Sequence, residues 1–158
     1  LRPVEEANPP TLTGPERVRN YGLLEALRLL AGDCSHDGIR VDVRTYEYSL
    51  IPLAGSGDAV TIEQDIYRIV QEALSNAIKH ARPQEILVLL DGSASERLCL
   101  SISDDGVGFV PGARDEARAG GFGMKTMRER AEALGGRLRL ISAPGRGTTV
   151  EVTIPRVR

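Results

Sequence analysis

The sequence predicts an α+β fold, a two-layer α/β sandwich whose mixed, mostly antiparallel sheet is covered on one face by about three helices. Three observations lead there. Apolar residues recur at helical spacing in separated stretches. Alternating segments come in pairs joined by turn-rich loops. The strands stand in runs beside the helices, which argues against a doubly wound sheet.

Each element follows from local chemistry. Residues 1–19 hold four prolines and no sustained period, so a linker or irregular arm is expected, with the main domain over 20–158. Residues 20–31 set Leu23, Leu24, Leu27, Leu30 and Ala31 on one side of a short helix, with Gly32 as its stop. Residues 39–48 alternate and favour β-branched and aromatic side chains, and a Gly/Ser loop around 55–57 follows. Thr61 is the expected cap of a long helix reaching about His80, with Ile62, Ile66, Ile69, Ala73, Leu74 and Ala77 as its apolar stripe and Arg82-Pro83 as its end. Segments 85–90 and 97–103 flank "DGSASE" as a hairpin. Residues 125–134 are helical up to Gly135-Gly136, and 137–142 and 148–154 form a second hairpin around "APGRG".

Composition narrows the function. At 158 residues, 41% hydrophobic and 27% charged, the chain has the makeup of one soluble globular domain. No run approaches the roughly eighteen apolar residues of a membrane span, so no membrane contact is expected. A net charge of -2 argues against a general nucleic-acid binder. Cys34 and Cys99 stand apart, without metal-site spacing, and a reducing, cytoplasmic setting is the simplest inference. The sequence begins at Leu1 without a methionine or signal-peptide pattern, so a piece of a longer protein is expected.

The stretch "QEALSNAIKHA" raises the functional question. At roughly 100° per residue, Glu72, Asn76 and Lys79 share a narrow sector bordering the apolar stripe, and His80 falls nearer the apolar side. An amide oxygen on Asn76 suits magnesium, a carboxylate at Glu72 can hold a metal-bound water, and Lys79 can meet a phosphate. The same residues also fit a solvated helix face with i,i+4 pairing. In "SDDGVGF", Asp104 ends a strand and can accept from an exocyclic amine such as that of adenine. Gly106 and Gly108 there permit close approach of a flat ligand. "GGFGMKTMRERAEALGG" puts Gly120, Gly121 and Gly123 just before a helix, where unpaired N–H groups can face a phosphate chain. Neither the Walker spacing nor a strand-borne G-x-G-x-x-G is present.

In that order, these motifs resemble the ATP-binding catalytic domain of bacterial two-component sensor histidine kinases, within the superfamily that includes DNA gyrase and heat-shock chaperone ATPases. "YRIVQEALSNAIKHA" is similar to its N box, "SDDGVGF" and "GGFGMKTMRERAEALGG" to its glycine boxes, and "SAPGRGTTVEVTIP" to its closing hairpin. "LRP", Glu72 and the R-E-R-A-E-A-L-G-G helix resemble the nitrate/nitrite-sensor type.

The resemblance implies a Bergerat-type fold, with ATP and Mg²⁺ as cofactors. It implies that Asn76 holds Mg²⁺ at the phosphates, that Lys79 and His80 contact phosphate, and that Asp104 receives the adenine amine. Gly106 and Gly108 shape the base pocket, Gly121 and Gly123 flank the γ-phosphate, Phe109 and Met124 also bind the nucleotide, and Thr148 hydrogen-bonds near Asp104. For Glu72 two tasks are implied, orienting metal-bound water or acting as a base. Residues 110–120 correspond to a mobile lid. Lys125, Arg128, Arg130, Arg137, Arg139 and Arg146 form a positive region suited to phosphate or an acidic partner, or else a solvated face.

The implied activity is transfer of the γ-phosphoryl group to a histidine on a separate dimerisation and phosphotransfer domain expected before Leu1, and from there indirectly to a response regulator. His36 is an unsuitable acceptor, because Gly38 and a strand follow it and leave no helix to present its nitrogen. Three alternatives share the pocket: a serine kinase of the anti-sigma type, a mechanical ATPase with a transducer domain, and a nucleotide-binding regulatory module without kinase activity.

Overall fold

The computed structural model describes residues 14–48, 58–111 and 121–156. The expected loop at 55–57, the arm before Gly14 and lid residues 112–120 lie outside them. Helices α1 (Gly14–Tyr21) and α2 (Leu23–Cys34) precede strand β1 (Arg40–Tyr46). Helix α3 (Ala59–Asn76) continues into a π-helical turn (Ala77–Ala81) and leads to β2 (Glu85–Asp91) and β3 (Arg97–Asp104). Helix α4 (Gly121–Ala133), β4 (Arg137–Ser142) and β5 (Thr148–Pro155) complete the described chain.

The strands form one sheet in the order β1-β2-β3-β5-β4. Only β1 and β2 run parallel, because α3 crosses over between them. The β2–β3, β3–β5 and β4–β5 pairs are antiparallel. Period-two alternation sends Ile86, Val88 and Leu90 of β2 and Leu98, Leu100 and Ile102 of β3 to the same side, where all are buried. Ile66, Ile69, Val70 and Leu74 of α3 join them in one hydrophobic core with Met127, Ala131 and Leu134. The α+β two-layer expectation holds, with four α-helices among the described residues where about three were expected.

Several boundaries differ from those read in the sequence. Residues 14–19 belong to α1, not to an irregular arm. Val18 is buried, and Gly14 lies so close to the fully buried Tyr67 that a methyl group there would overlap its ring. Gln64 Nε2 donates to the Pro15 carbonyl at 3.0 Å, and Arg17 pairs with Asp33 at 2.8 Å. Tertiary packing therefore holds a helix that proline content argues against. Gly22, at φ 83°, separates α1 from α2. Gly32 does not stop α2, which runs to Cys34. The cap of α3 is Asp58, whose Oδ1 accepts from the Thr61 N–H at 2.8 Å; Thr61 lies inside the first turn.

Helix α4 starts at Gly121, four residues before the expected Lys125. Its buried stripe of Met124, Met127, Ala131 and Leu134 begins in the first turn, so packing outweighs the low helix propensity of glycine. The Gly135-Gly136 stop is as expected. With Gly135 at φ 76°, its N–H bonds to Glu132 O at 2.9 Å and that of Gly136 to Ala131 O at 2.8 Å, a Schellman ending. No helix among the described residues is long and apolar enough to cross a membrane.

Leu100, on the central strand, is completely buried. Leu100→Ala is expected to lower stability by about 2–5 kcal/mol, read as a reduced urea midpoint at unchanged slope.

Candidate functional site

A cavity of about 240 Å³ opens between α3, the sheet and the loop after β3. Pockets for whole drug-sized ligands run to roughly 300–1,000 Å³, so this one suits a flat ring with the remainder of the ligand outside. Its helical wall is centred on Ala73 of α3 and on Ala77 and Ala81 of the π turn, whose small side chains leave room, and Asn76 and His80 flank that line. Ile102, Met124, Leu140 and Val150 give the cavity an apolar interior. Asp104, Val107, Gly108, Phe109 and Thr148 complete the lining.

The polar helix face is divided differently from the expectation. Asn76 and His80 reach the cavity, while Lys79 is exposed, Glu72 is half-buried, and neither lines it. The sector shared by Glu72, Asn76 and Lys79 is turned one position away from the alanine line, so only its Asn76 edge meets the cavity. The widened π turn at Ala77–Ala81 carries His80 on the same wall. The side-chain nitrogen of Asn76 is buried and has no hydrogen-bond partner among the described residues. A buried donor of this kind is costly unless something arrives to accept from it.

Asp104 ends β3 opposite Thr148 of β5. Its Oδ1 accepts the Gly106 N–H at 2.8 Å, and the Thr148 backbone N–H also bonds to it. Burial, the largest influence, raises its pKa above the ordinary carboxylate value, and Asp105 adds to that, against these two hydrogen bonds. An acid with one oxygen tied to backbone in an apolar cavity retains acceptor capacity for a ligand N–H.

Backbone approach explains the glycines. A side chain on Gly106 would overlap the Ala81 carbonyl, and one on Gly108, at φ 65°, would overlap that of Ala143. Gly121 and Gly123 lie in the first turn of α4, where N–H groups lack intrahelical partners, and Gly120 lies outside the described residues.

Two polar residues near the site were missed in the sequence. Ser142 Oγ accepts the Phe109 N–H at 2.9 Å, donates to the Gly147 carbonyl at 3.0 Å and lies 2.8 Å from Thr148 Oγ1. It ties the Phe109 loop to the β4–β5 turn, and its only sequence signal is a serine closing a strand before G-T. Asp105 was passed over because its neighbour takes the obvious role. The expected positive region is partly paired, since Arg130 meets Asp65 at 3.3 Å and Arg139 meets Glu151 at 3.8 Å.

Comparison with known proteins bears on this geometry. Residues 61–158 match the family described as histidine kinase-, DNA gyrase B-, and HSP90-like ATPase. The chain belongs to that family. Membership implies ATP as the ligand, and the ring-sized cavity with an acceptor at Asp104 is consistent with its base. Among relatives of this ATPase domain, the sensor histidine kinase LiaS of Bacillus subtilis is 39% identical over 94 residues, covering 60% of this chain and 25% of the relative. The sensor histidine kinase ComP of the same species is 38% identical over 141 residues, covering 89% of this chain and 17% of the relative. The chain thus spans a quarter or less of these two curated relatives. The blue-light activated histidine kinase of Erythrobacter litoralis EL346 superposes with a TM-score of 0.63 at 26% identity, over 89% of this chain and 47% of that one.

The raised pKa of Asp104 has a signed consequence. Folding takes up a proton on this group, so its contribution to stability is fully present below the ordinary carboxylate pKa and is lost as pH rises through the raised value. Asp104→Asn is therefore expected to be at least as stable as the parent at neutral pH, with the advantage gone in acid, by thermal unfolding across pH. The same variant replaces an acceptor oxygen of the cavity by an N–H donor and is expected to weaken ATP binding by about 1–3 kcal/mol, measured by calorimetric titration.

Proposed function

We propose that this domain binds Mg·ATP and donates its γ-phosphoryl group to a histidine imidazole on a separate helical dimerisation domain, in two-component signalling to a response regulator. The observation that carries this reading is the buried amide nitrogen of Asn76, without a partner among the described residues, on the wall of an apolar cavity that also bears Asp104. The pair would grip opposite ends of a nucleotide. Sensor kinases among the relatives of the matched domain support the reaction class.

Asp104 accepts the adenine amine, and Gly106 and Gly108 let the ring lie against backbone. Asn76, with Glu72 through water, would hold Mg²⁺, which when bound neutralises charge on the phosphates. His80 at the cavity wall and exposed Lys79 beyond it face the polyphosphate, and the first-turn N–H groups of α4 at Gly121 and Gly123 donate to its oxygens. The incoming imidazole nitrogen forms a bond to the γ-phosphorus as the bond to the β,γ-bridging oxygen breaks, leaving ADP. The protein's contribution is alignment and charge stabilisation. "LRP", Glu72 and the α4 sequence favour the nitrate/nitrite-sensor subtype, and the site would work in the cytoplasm, where ATP is available.

Incubation with γ-labelled ATP tests the proposal, using the histidine-bearing helical domain of a related sensor kinase and, in parallel, a serine-bearing acceptor. Acid-labile, base-stable label on the helical domain is expected, and label confined to the serine acceptor would overturn the histidine reading. Asn76→Ala is expected to slow transfer by about a hundredfold or more, the scale of one oriented electrostatic contact, while metal-free ADP still docks. Unchanged transfer in that variant would remove Asn76 from the site.

A further inference from the structure

Asp105 does not line the cavity, and its side chain is exposed. Its contacts nevertheless tie the turn after β3 to residues 84 and 85, just beyond the π turn that carries His80. Oδ1 accepts the backbone N–H of Gln84 at 2.8 Å and of Glu85 at 3.0 Å. The Asp105 N–H donates to Glu85 O at 3.2 Å, and the Val107 N–H donates to Ala81 O at 2.8 Å. Three of these bonds join Asp105 to Gln84 and Glu85, and the fourth joins Val107 to Ala81, the last residue of the π turn.

The intervening backbone needs such outside support. Arg82 leaves the π turn in the left-handed region at φ 52° and ψ 53°, a conformation a side chain disfavours. Pro83 has no N–H to offer. Without Asp105, the N–H groups of Gln84 and Glu85 would lose a shared acceptor just where the chain turns from helix into β2. Hydrogen bonds from Glu85 and Gln84 hold the Asp105 carboxyl below its usual pKa, so it remains an ionised acceptor at neutral pH.

We propose that Asp105 is a positioning residue that fixes the distance between the base acceptor Asp104 and the polar wall of Asn76 and His80. The inference rests on reading the cavity as the ATP site. Two half-sites at a fixed distance reward a ligand that spans both, because the second contact forms at high effective concentration. Loosening the junction penalises ATP more than adenosine, which uses only the base end.

The test compares the unmodified chain with Asp105→Ala and Asp105→Asn, titrating adenosine and Mg·ATP calorimetrically well below the unfolding temperature. Asp105→Ala is expected to weaken Mg·ATP by about tenfold, the equivalent of one or two lost hydrogen bonds, with adenosine little changed. Asp105→Asn retains the acceptor oxygen and is expected to restore the preference for ATP. An unchanged ATP-to-adenosine ratio in Asp105→Ala, or equal losses in both variants, would overturn the proposal. Amide exchange in the unmodified chain gives a second reading independent of any variant's folding. ATP should further slow exchange at Gln84 and Glu85, and no added protection there counts against the proposal. An unmodified chain that binds no ATP would instead overturn the pocket reading, and this inference with it.

Discussion

Around the cavity, backbone passes directly against backbone, and the site depends on that constraint. Gly106 lies on the Ala81 carbonyl, Gly108 on that of Ala143, and Gly147 on that of Asp104. Each contact brings together elements distant in sequence: the end of the long helix, the turn after β3 and the β4–β5 turn. A single Cβ at any of the three would force them apart. Gly108 and Gly147 also have positive φ, so both space and conformation call for glycine there.

The cavity's polar groups are few, and two of them are placed at some cost. Asp104 keeps a carboxylate half out of water, and Asn76 keeps an amide nitrogen buried without a partner among the described residues. Neither arrangement favours the fold by itself. Both make sense if a ligand supplies the missing partners, so two locally unfavourable groups coincide with the cavity. The surrounding core, from Ile66 and Leu74 to Val152, is apolar and well buried and can carry that cost.

The helices act as supports for the site. Tyr67 and Gln64 of α3 hold α1, and Asp65 of the same helix meets Arg130 of α4. The helix bearing Asn76 is thus fastened to the one whose first turn contains Gly121 and Gly123. Ser142 does the same on the sheet side, connecting the loop at Phe109 to Thr148 through one hydroxyl.

The sequence by itself determined the strands, the long helix, the α+β class and the order of polar helix, Asp-Gly turn and glycine-rich helix start. Those features are written in local periodicity and turn chemistry, which act over a few residues. Only tertiary structure decided that residues 14–19 are helical, because Tyr67 and Gln64 that hold them lie some fifty positions away. It also decided that α4 begins at Gly121, where Met124 and Met127 find the core. The choice of Asn76 and His80 over Glu72 and Lys79 as cavity residues has the same origin. A helical wheel gives the angle between side chains, but which angle faces the cavity depends on how α3 is rolled against the sheet and on the π turn at its end. The contacts of Asp105 and Ser142 were invisible for a related reason: most of their partners are backbone groups, which every sequence possesses and none advertises.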